Sequence, residues 1–325
     1  FSQYFSSPVR ITSGNDIHPA LANAPSWWFQ SGEEWLAFSR DGKNIMLMHT
    51  VGRGLRWPDT VFALTTDSMD NDYPSLTRSY HPAFTPAMML VWQSRSLGTY
   101  DIFYSLNRDS TWTSPQPVTT GAGDDRFPHV THRYVGFGLV WERNGRIMFA
   151  EYVNNQWSQP EFVTRPNDTL NTLPNLYYVG APATIPVVVW ERRKAPLPGS
   201  AIMYSVRTDT GWLRPDTVYA ANDNQRPRFF KARSYSDFVV TWNNFNSGVS
   251  RVIMRDGDYF NATVRWSPVY VPPQPAGTNA DAAFNGTIIV TEPNTPGLYW
   301  SVGVWATSTA ARRGQLTALR AFFPD

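Results

Sequence analysis

The chain has 325 residues, 42% of them hydrophobic, with 28 Lys and Arg against 26 Asp and Glu, a net charge of +2. That near balance, with no run of five like charges, excludes the basic face of a nucleic-acid binder. The absence of cysteine excludes disulfides and thiolate metal sites, and there is no run of about 18 apolar residues to span a bilayer.

The chain opens on Phe5…Pro8…Ile11, an aromatic, a proline and a β-branched residue in close succession. The pattern returns as Trp57-Pro58…Val61, Trp112…Pro115…Val118, Trp157…Pro160…Val163, Trp212…Pro215…Val218 and Trp266…Pro268…Val271. After each comes an Asx three positions before a proline: Asp16…Pro19, Asn71…Pro74, Asp125…Pro128, Asn171…Pro174 and Asn224…Pro227, with Asn279…Ala282 lacking the proline. The intervals between these Asx residues are 55, 54, 46, 53 and 55. A period of that size, built from several short strands, is the signature of a β-propeller, whose blades are four-stranded sheets around an axis.

One unit shows the strands. Pro74-Ser75-Leu76, Met88 to Trp92, Asp101 to Ser105 and Trp112 to Val118 are apolar or alternating runs separated by Gly, Pro, Asn and Ser. No stretch carries helical periodicity. The sixth unit has Ile288-Ile289-Val290 and Tyr299-Trp300-Ser301 but no Trp…Pro…Val strand after them, and the N-terminal piece supplies it. The expected fold is therefore all-β: a six-bladed β-propeller of four-stranded antiparallel blades over 1–306. Its blades start near 19, 74, 128, 174, 227 and 282, and residues 5–12 close the last one, removing open edges. Residues 307–325, ending near Phe322-Phe323, fall outside the repeat and are expected to form a C-terminal arm that folds back or docks on another subunit.

Two stretches carry a family resemblance. Ser105-Leu106-Asn107-Arg108-Asp109-Ser110-Thr111-Trp112 and Ser205-Val206-Arg207-Thr208-Asp209-Thr210-Gly211-Trp212 resemble the Asp-box hairpin of sialidase-like propellers in the spacing of Ser and Trp, and both lack the central Asp and Gly. Leu36-Ala37-Phe38-Ser39-Arg40-Asp41-Gly42-Lys43 is similar to the repeat turn of TolB-like periplasmic propellers. Both resemblances imply the propeller; neither implies one activity. A sialidase needs an arginine cluster, a tyrosine nucleophile and an acid. The Phe-Arg-Ile-Pro motif of that family is missing, and its nearest strings are Asp125-Arg126-Phe127-Pro128 and Gln225-Arg226-Pro227.

The Asx residues Asp16, Asn71, Asp125, Asn171, Asn224 and Asn279 are expected on one rim. They read either as an oxygen ring for Ca²⁺, with Asp16 and Asp125 as candidate ligands, or as caps of their own loops; recurrence in every unit favours the caps. The residues near them that differ from unit to unit, His18, Asp72, Tyr73, Asp124, Arg126, Asp223 and Arg226, are the candidate ligand- or partner-binding set, because a rigid frame presents variable side chains on such loops. Gln93, Glu142, Glu191 and Asn243 follow Trp92, Trp141, Trp190 and Trp242, and Glu292 stands at the corresponding place. Carboxylates among them would serve acid–base chemistry if they converged, whereas bonds between blades account for them without it. His129 and His132 are three apart, on opposite faces of a strand, and His18, His49 and His81 complete no zinc motif.

The first residue is Phe1, and three sequons begin at Asn167, Asn261 and Asn285, which points to a secreted, extracellular or periplasmic protein. The expected function is a non-catalytic recognition or assembly module for another protein or a surface glycan. Self-association would run through residues 307–325, with no catalytic residues and no cofactor beyond the calcium alternative. The competing readings are a sialidase-like carbohydrate-active enzyme and an accessory propeller of an envelope complex.

Overall fold

The computed structural model describes residues 4–324 apart from 6–8, 11, 13, 24–33, 51–59, 80–87, 96–97, 109–110, 181–183, 232–235, 247–248, 272–288, 292–297 and 307–315. In Tyr4–Phe5, Val9–Arg10, Ile289–Thr291, Leu298–Ala306 and Leu316–Pro324 only the backbone is described. Trp57, His81, Asn279, Ala282, Asn285 and Glu292 lie outside the described residues.

The described residues form strands and turns without a helix, so none is long and apolar enough to cross a membrane. The strands make six antiparallel sheets in chain order. The first holds Asp16–Asn23, Glu34–Arg40, Asn44–His49 and Phe62–Ala63. The second holds Asp70–Arg78, Met88–Arg95, Asp101–Arg108 and the split edge Thr111–Trp112 and Gln116–Pro117. The third runs Asp125–His132, Phe137–Arg143, Arg146–Val153, then Gln156–Trp157 and Glu161–Phe162. The fourth runs Asn171–Val179, Ile185–Arg193, Ser200–Thr208, then Gly211–Trp212 and Asp216–Tyr219; the fifth runs Asp223–Lys231, Asp237–Asn246, Val249–Phe260 and Thr263–Trp266.

The recurring Trp…Pro…Val has a geometric cause. Proline offers no N–H to a ladder and is tolerated only at a sheet edge, so Pro115 and Pro160 break the outermost strand into two short pieces that pair with the same neighbour. The Trp ahead of the break packs on the preceding sheet: Trp157 edge-on to Tyr104, Trp212 to Phe149, Trp266 to Tyr204 and Trp112 to Trp35, with centroids 5.2–5.6 Å apart. The Val beyond it is buried at positions 163 and 218. Each such aromatic seals one sheet against the next.

The Asx residues and the second-strand tryptophans form a single device. Trp92, Trp141, Trp190 and Trp242 are at most 1% exposed, and each indole N–H is buried and needs an acceptor. Trp92 donates to Asn71 Oδ1 at 3.0 Å, Trp141 to Asp125 Oδ1 at 2.8 Å, Trp190 to Asn171 Oδ1 at 2.7 Å and Trp242 to Asn224 Oδ1 at 3.0 Å. The asparagines spend their amide hydrogens on the incoming loop and on the hairpin turn of the preceding sheet, as Asn171 does on the Asp168 and Gly145 carbonyls. Where Phe38 replaces the tryptophan, Asp16 instead takes Arg40 through both carboxylate oxygens, at 2.8 and 3.1 Å. The Asx residues therefore tie strand one to strand two and to the loop before it, rather than capping N–H groups of their own loops.

The first strands of the five sheets pack on one another in sequence, and Ile289–Thr291 packs on both Asp223–Lys231 and Asp16–Asn23. In the sixth sheet Ile289–Thr291 pairs with Leu298–Ala306, which pairs along its length with Leu316–Pro324. The far side of that strand carries Tyr4–Phe5 and Val9–Arg10. Of the two expectations for residues 307–325, folding back is the one the backbone pairing follows, and Leu316–Pro324 lies inside the sixth sheet with both edges used rather than outside the repeat. Deleting residues 307–325 is accordingly expected to lower Tm by roughly 10 °C or more, since a strand's ladder is worth several kcal/mol at about 2–4 °C each. A truncated chain melting like the full one would refute the pairing. Deleting residues 1–12 is expected to broaden the melt and promote aggregation through the bared strand edge, read by light scattering.

Candidate functional site

Each first strand carries the same irregularity at its start. The register slips between Ile17 and Ala20, Asp72 and Ser75, Arg126 and His129, Thr172 and Asn175, and Gln225 and Arg228. At each slip the residue ahead of proline is left-handed: His18, Tyr73, Phe127, Leu173 and Arg226 have φ of 49°, 51°, 53°, 50° and 56°. Large side chains rarely adopt this conformation, which costs on the order of 1–3 kcal/mol per residue and persists only where the surroundings impose it. A bulge re-aims the side chain it carries. Five bulges on five adjacent strands bring five unlike side chains to one end of the ring of first strands.

Three of these rings touch in series. The His18 imidazole stacks on Tyr73 with centroids 3.7 Å apart, and Tyr73 meets Phe127 edge-on at 4.7 Å. His18 Nδ1 lies 2.7 Å from Asp72 Oδ1, which also accepts the Tyr73 N–H at 2.8 Å. A carboxylate at Nδ1 places the ring proton there and leaves Nε2 as the acceptor nitrogen. Burial pushes the Tyr73 phenol above its ordinary pKa, and the Asp72 carboxylate adds to this. Arg226 and Arg228 pull in the opposite direction without cancelling it, so both guanidiniums act on that hydroxyl.

The remaining predicted rim residues form pairs beside this cluster. Arg126 and Asp124 make an ion pair at 2.7 Å, and Asp124 also takes the Tyr100 N–H at 3.0 Å. The Arg126 guanidinium sits 5.0 Å from the Tyr100 ring centre. Asp223 accepts from Gln225 at 2.8 Å. Of the seven, the structure thus joins His18, Asp72 and Tyr73 by direct contact and Arg226 by its field; Asp124 with Arg126, and Asp223, stand to the side. Phe127, Leu173 and the row after the prolines escaped the sequence reading. The column immediately before each proline, unlike in every unit, was the signal that marks them.

The residues following Trp92, Trp141 and Trp190 bridge to the next sheet's bulge. Gln93 Oε1 accepts the Phe127 N–H at 2.8 Å, Glu142 Oε2 accepts the Thr172 hydroxyl at 2.5 Å, and Glu191 accepts Ser200 at 2.9 Å and the Arg226 N–H at 3.4 Å. Burial raises the pKa of both glutamates, and these hydrogen bonds offset part of the rise. They hold neighbouring bulges in place, and do not converge as a catalytic carboxylate pair.

The calcium reading does not fit the residues present. Asp125 spends both oxygens on Arg143 at 2.7 Å, as Asp16 does on Arg40, so a cation there would meet a guanidinium. Among the described residues no three His, Cys, Asp or Glu gather as a metal site.

No family model matches the chain, and no curated protein is similar to it in sequence. Solved structures resemble it over its whole length. An α-L-arabinofuranosidase of Fusarium graminearum, solved with an iminosugar inhibitor, has a TM-score of 0.64 at 12% identity, covering 98% of each chain. An α-L-arabinanase of Penicillium chrysogenum complexed with arabinobiose has a TM-score of 0.62 at 10% identity, covering 99% of this chain and 98% of that one. A sialidase of Streptococcus pneumoniae has a TM-score of 0.56 at 10% identity, covering 99% of this chain and 70% of that one. These three neighbours, all carbohydrate-active enzymes, count against the expectation of a non-catalytic module and favour the alternative of a carbohydrate-active enzyme. The chain has the all-β propeller fold on which those enzymes are built.

Proposed function

We propose that this chain is a carbohydrate-active enzyme that cleaves a glycosidic bond at the bulged end of its first strands. We take the ring to have six blades, closed by residues 5–12, and the protein to work outside the cytoplasm, where polymeric glycans are met. The observation that carries the activity is the contact between a proton acceptor and a proton donor: His18, oriented by Asp72, stacked on Tyr73. Hydrolysing a glycosidic bond requires a proton for the departing oxygen and a group that accepts one from the water attacking the anomeric carbon. Tyr73 holds its proton at neutral pH and so is poised to give it, while His18 Nε2 is poised to receive one. Backbone bulges fix both, which holds their separation constant through a turnover. The sequon asparagines 167 and 261 lie exposed on turns, which suits an exported chain.

The test is release of reducing ends from a panel of plant, algal and bacterial polysaccharides by the purified full chain. Turnover of at least one glycan, lost on boiling and in the double variant His18→Gln/Tyr73→Phe, is expected. A well-folded protein that cleaves none of them would end the proposal.

A further inference from the structure

One row deeper than the bulges, immediately after each proline, the first strands carry Ala20, Ser75, His129, Asn175 and Arg228. Three of these side chains reach to the next strand with an acceptor atom. Ser75 Oγ takes the Val130 N–H at 3.1 Å, His129 Nδ1 takes the Leu176 N–H at 3.1 Å, and Asn175 Oδ1 takes the Phe229 N–H at 2.9 Å. Spending the acceptors this way decides what is left over. Because His129 Nδ1 accepts, the neutral ring carries its hydrogen on Nε2. Asn175 is 1% exposed and its Nδ2 finds no acceptor among the described residues. Arg228, next in the row, donates Nη1 to the Pro227 carbonyl at 3.0 Å.

No carboxylate lies within ion-pair distance of Arg228 among the described residues, although Arg40, Arg95, Arg126 and Arg143 near the same rim each have one. Burial lowers the Arg228 guanidinium to about 10. Burial, then the charge of Arg228, holds His129 at about 3, which keeps it neutral and places the two within each other's field. Three adjacent strands thus offer an imidazole N–H, an amide N–H that finds no acceptor among the described residues, and a guanidinium that meets a backbone carbonyl but no carboxylate there. A buried amide donor without an acceptor and a half-buried cation without a carboxylate are unfavourable unless something outside the chain completes them.

We infer that His129, Asn175 and Arg228 seat an anionic substituent of the glycan, a sugar carboxylate or a sulfate ester, beneath the reacting bond. The inference rests on the reading of the rim as a glycan-cleaving site. A planar carboxylate takes the guanidinium side-on through two oxygens and leaves lone pairs for the amide and imidazole hydrogens; a sulfate offers a third oxygen. Arg228 sits two residues from Arg226 and acts on Tyr73, so an acid group held there would bring its own ring to the proton-transferring residues.

The experiment gives the full chain a polygalacturonate oligomer, a sulfated galactan and a linear arabinan, reading cleavage by reducing ends and binding by calorimetry, for the native protein and for Arg228→Met and Arg228→Lys. An acidic glycan is expected to be preferred, with Arg228→Met weakening its binding on the order of 10- to 100-fold, as hydrogen bonds to charged groups predict, and Arg228→Lys falling between. Preference for the uronate identifies a carboxylate seat and preference for the galactan a sulfate seat. Binding that depends on Arg228 without cleavage would sink the enzymatic reading and leave the anion seat standing. Cleavage or binding of arabinan alone, an unchanged affinity in Arg228→Met, or no binding of either acidic glycan would overturn the seat. Should Arg228→Met fail to fold, the native preference and Arg228→Lys still decide.

Discussion

Asn171→Leu is expected to destabilise the protein by roughly 2–4 kcal/mol, a large effect for a substitution that keeps the side-chain volume close. Asn171 takes the buried Trp190 indole hydrogen and gives its own hydrogens to Gly145 and Asp168. Leucine strands the indole hydrogen and the Asp168 carbonyl, at about 1–3 kcal/mol for each buried group, while Gly145 keeps the backbone N–H of residue 171. Trp190→Ala empties the space of an indole with no exposed surface and is expected to cost about 3–5 kcal/mol. The diagnostic case is Asn171→Leu combined with Trp190→Phe. Removing both partners eliminates the stranded indole hydrogen, so the pair should cost less than the two single changes added together, with a coupling of about 0.5–3 kcal/mol. Urea denaturation of the native protein, Asn171→Leu, Trp190→Phe and their combination measures it. Strict additivity would mean that the two side chains do not work as a unit.

That pairing also shows where the sequence was readable. Asn171 and Trp190 each belong to a recurring column, so a period near 50 and the four strands of each unit could be read directly. That one column is hydrogen-bonded to the other could not, because the partners are 19 residues apart and no local rule joins them. The site was harder to see for a related reason. Alternation assigns faces by counting in twos, and a bulge inserts one residue and reverses the count after it. His18, Tyr73 and Arg226 were found because they are polar and unlike. Phe127 and Leu173 share their backbone geometry yet look like ordinary core residues. His129 and Arg228 lie just past the inserted residue, where the counting fails. The C-terminal strand was read as an arm because it carries no Trp…Pro mark; as the third strand of its sheet it has no edge that would need one.

Tyr73→Phe is expected to lower kcat by about 10²- to 10⁴-fold, the usual worth of a positioned proton donor, with KM changed only a few-fold. Phenylalanine keeps the ring that stacks on His18 and meets Phe127, so the urea midpoint should hardly move, and the loss would be chemical rather than structural. The pH profile separates a donor from a nucleophile. Burial and Asp72 raise the Tyr73 pKa, so the native phenol stays protonated across neutral pH and loses its proton only above the ordinary tyrosine range. A donor must be protonated, so native kcat should hold to high pH and fall only there, and Tyr73→Phe should abolish that alkaline limb along with most of the rate. A tyrosine acting as the attacking oxyanion would show the reverse, a rate climbing with pH as the phenol ionises. Near-native kcat in Tyr73→Phe would remove Tyr73 from the chemistry and leave its raised pKa as a consequence of packing alone.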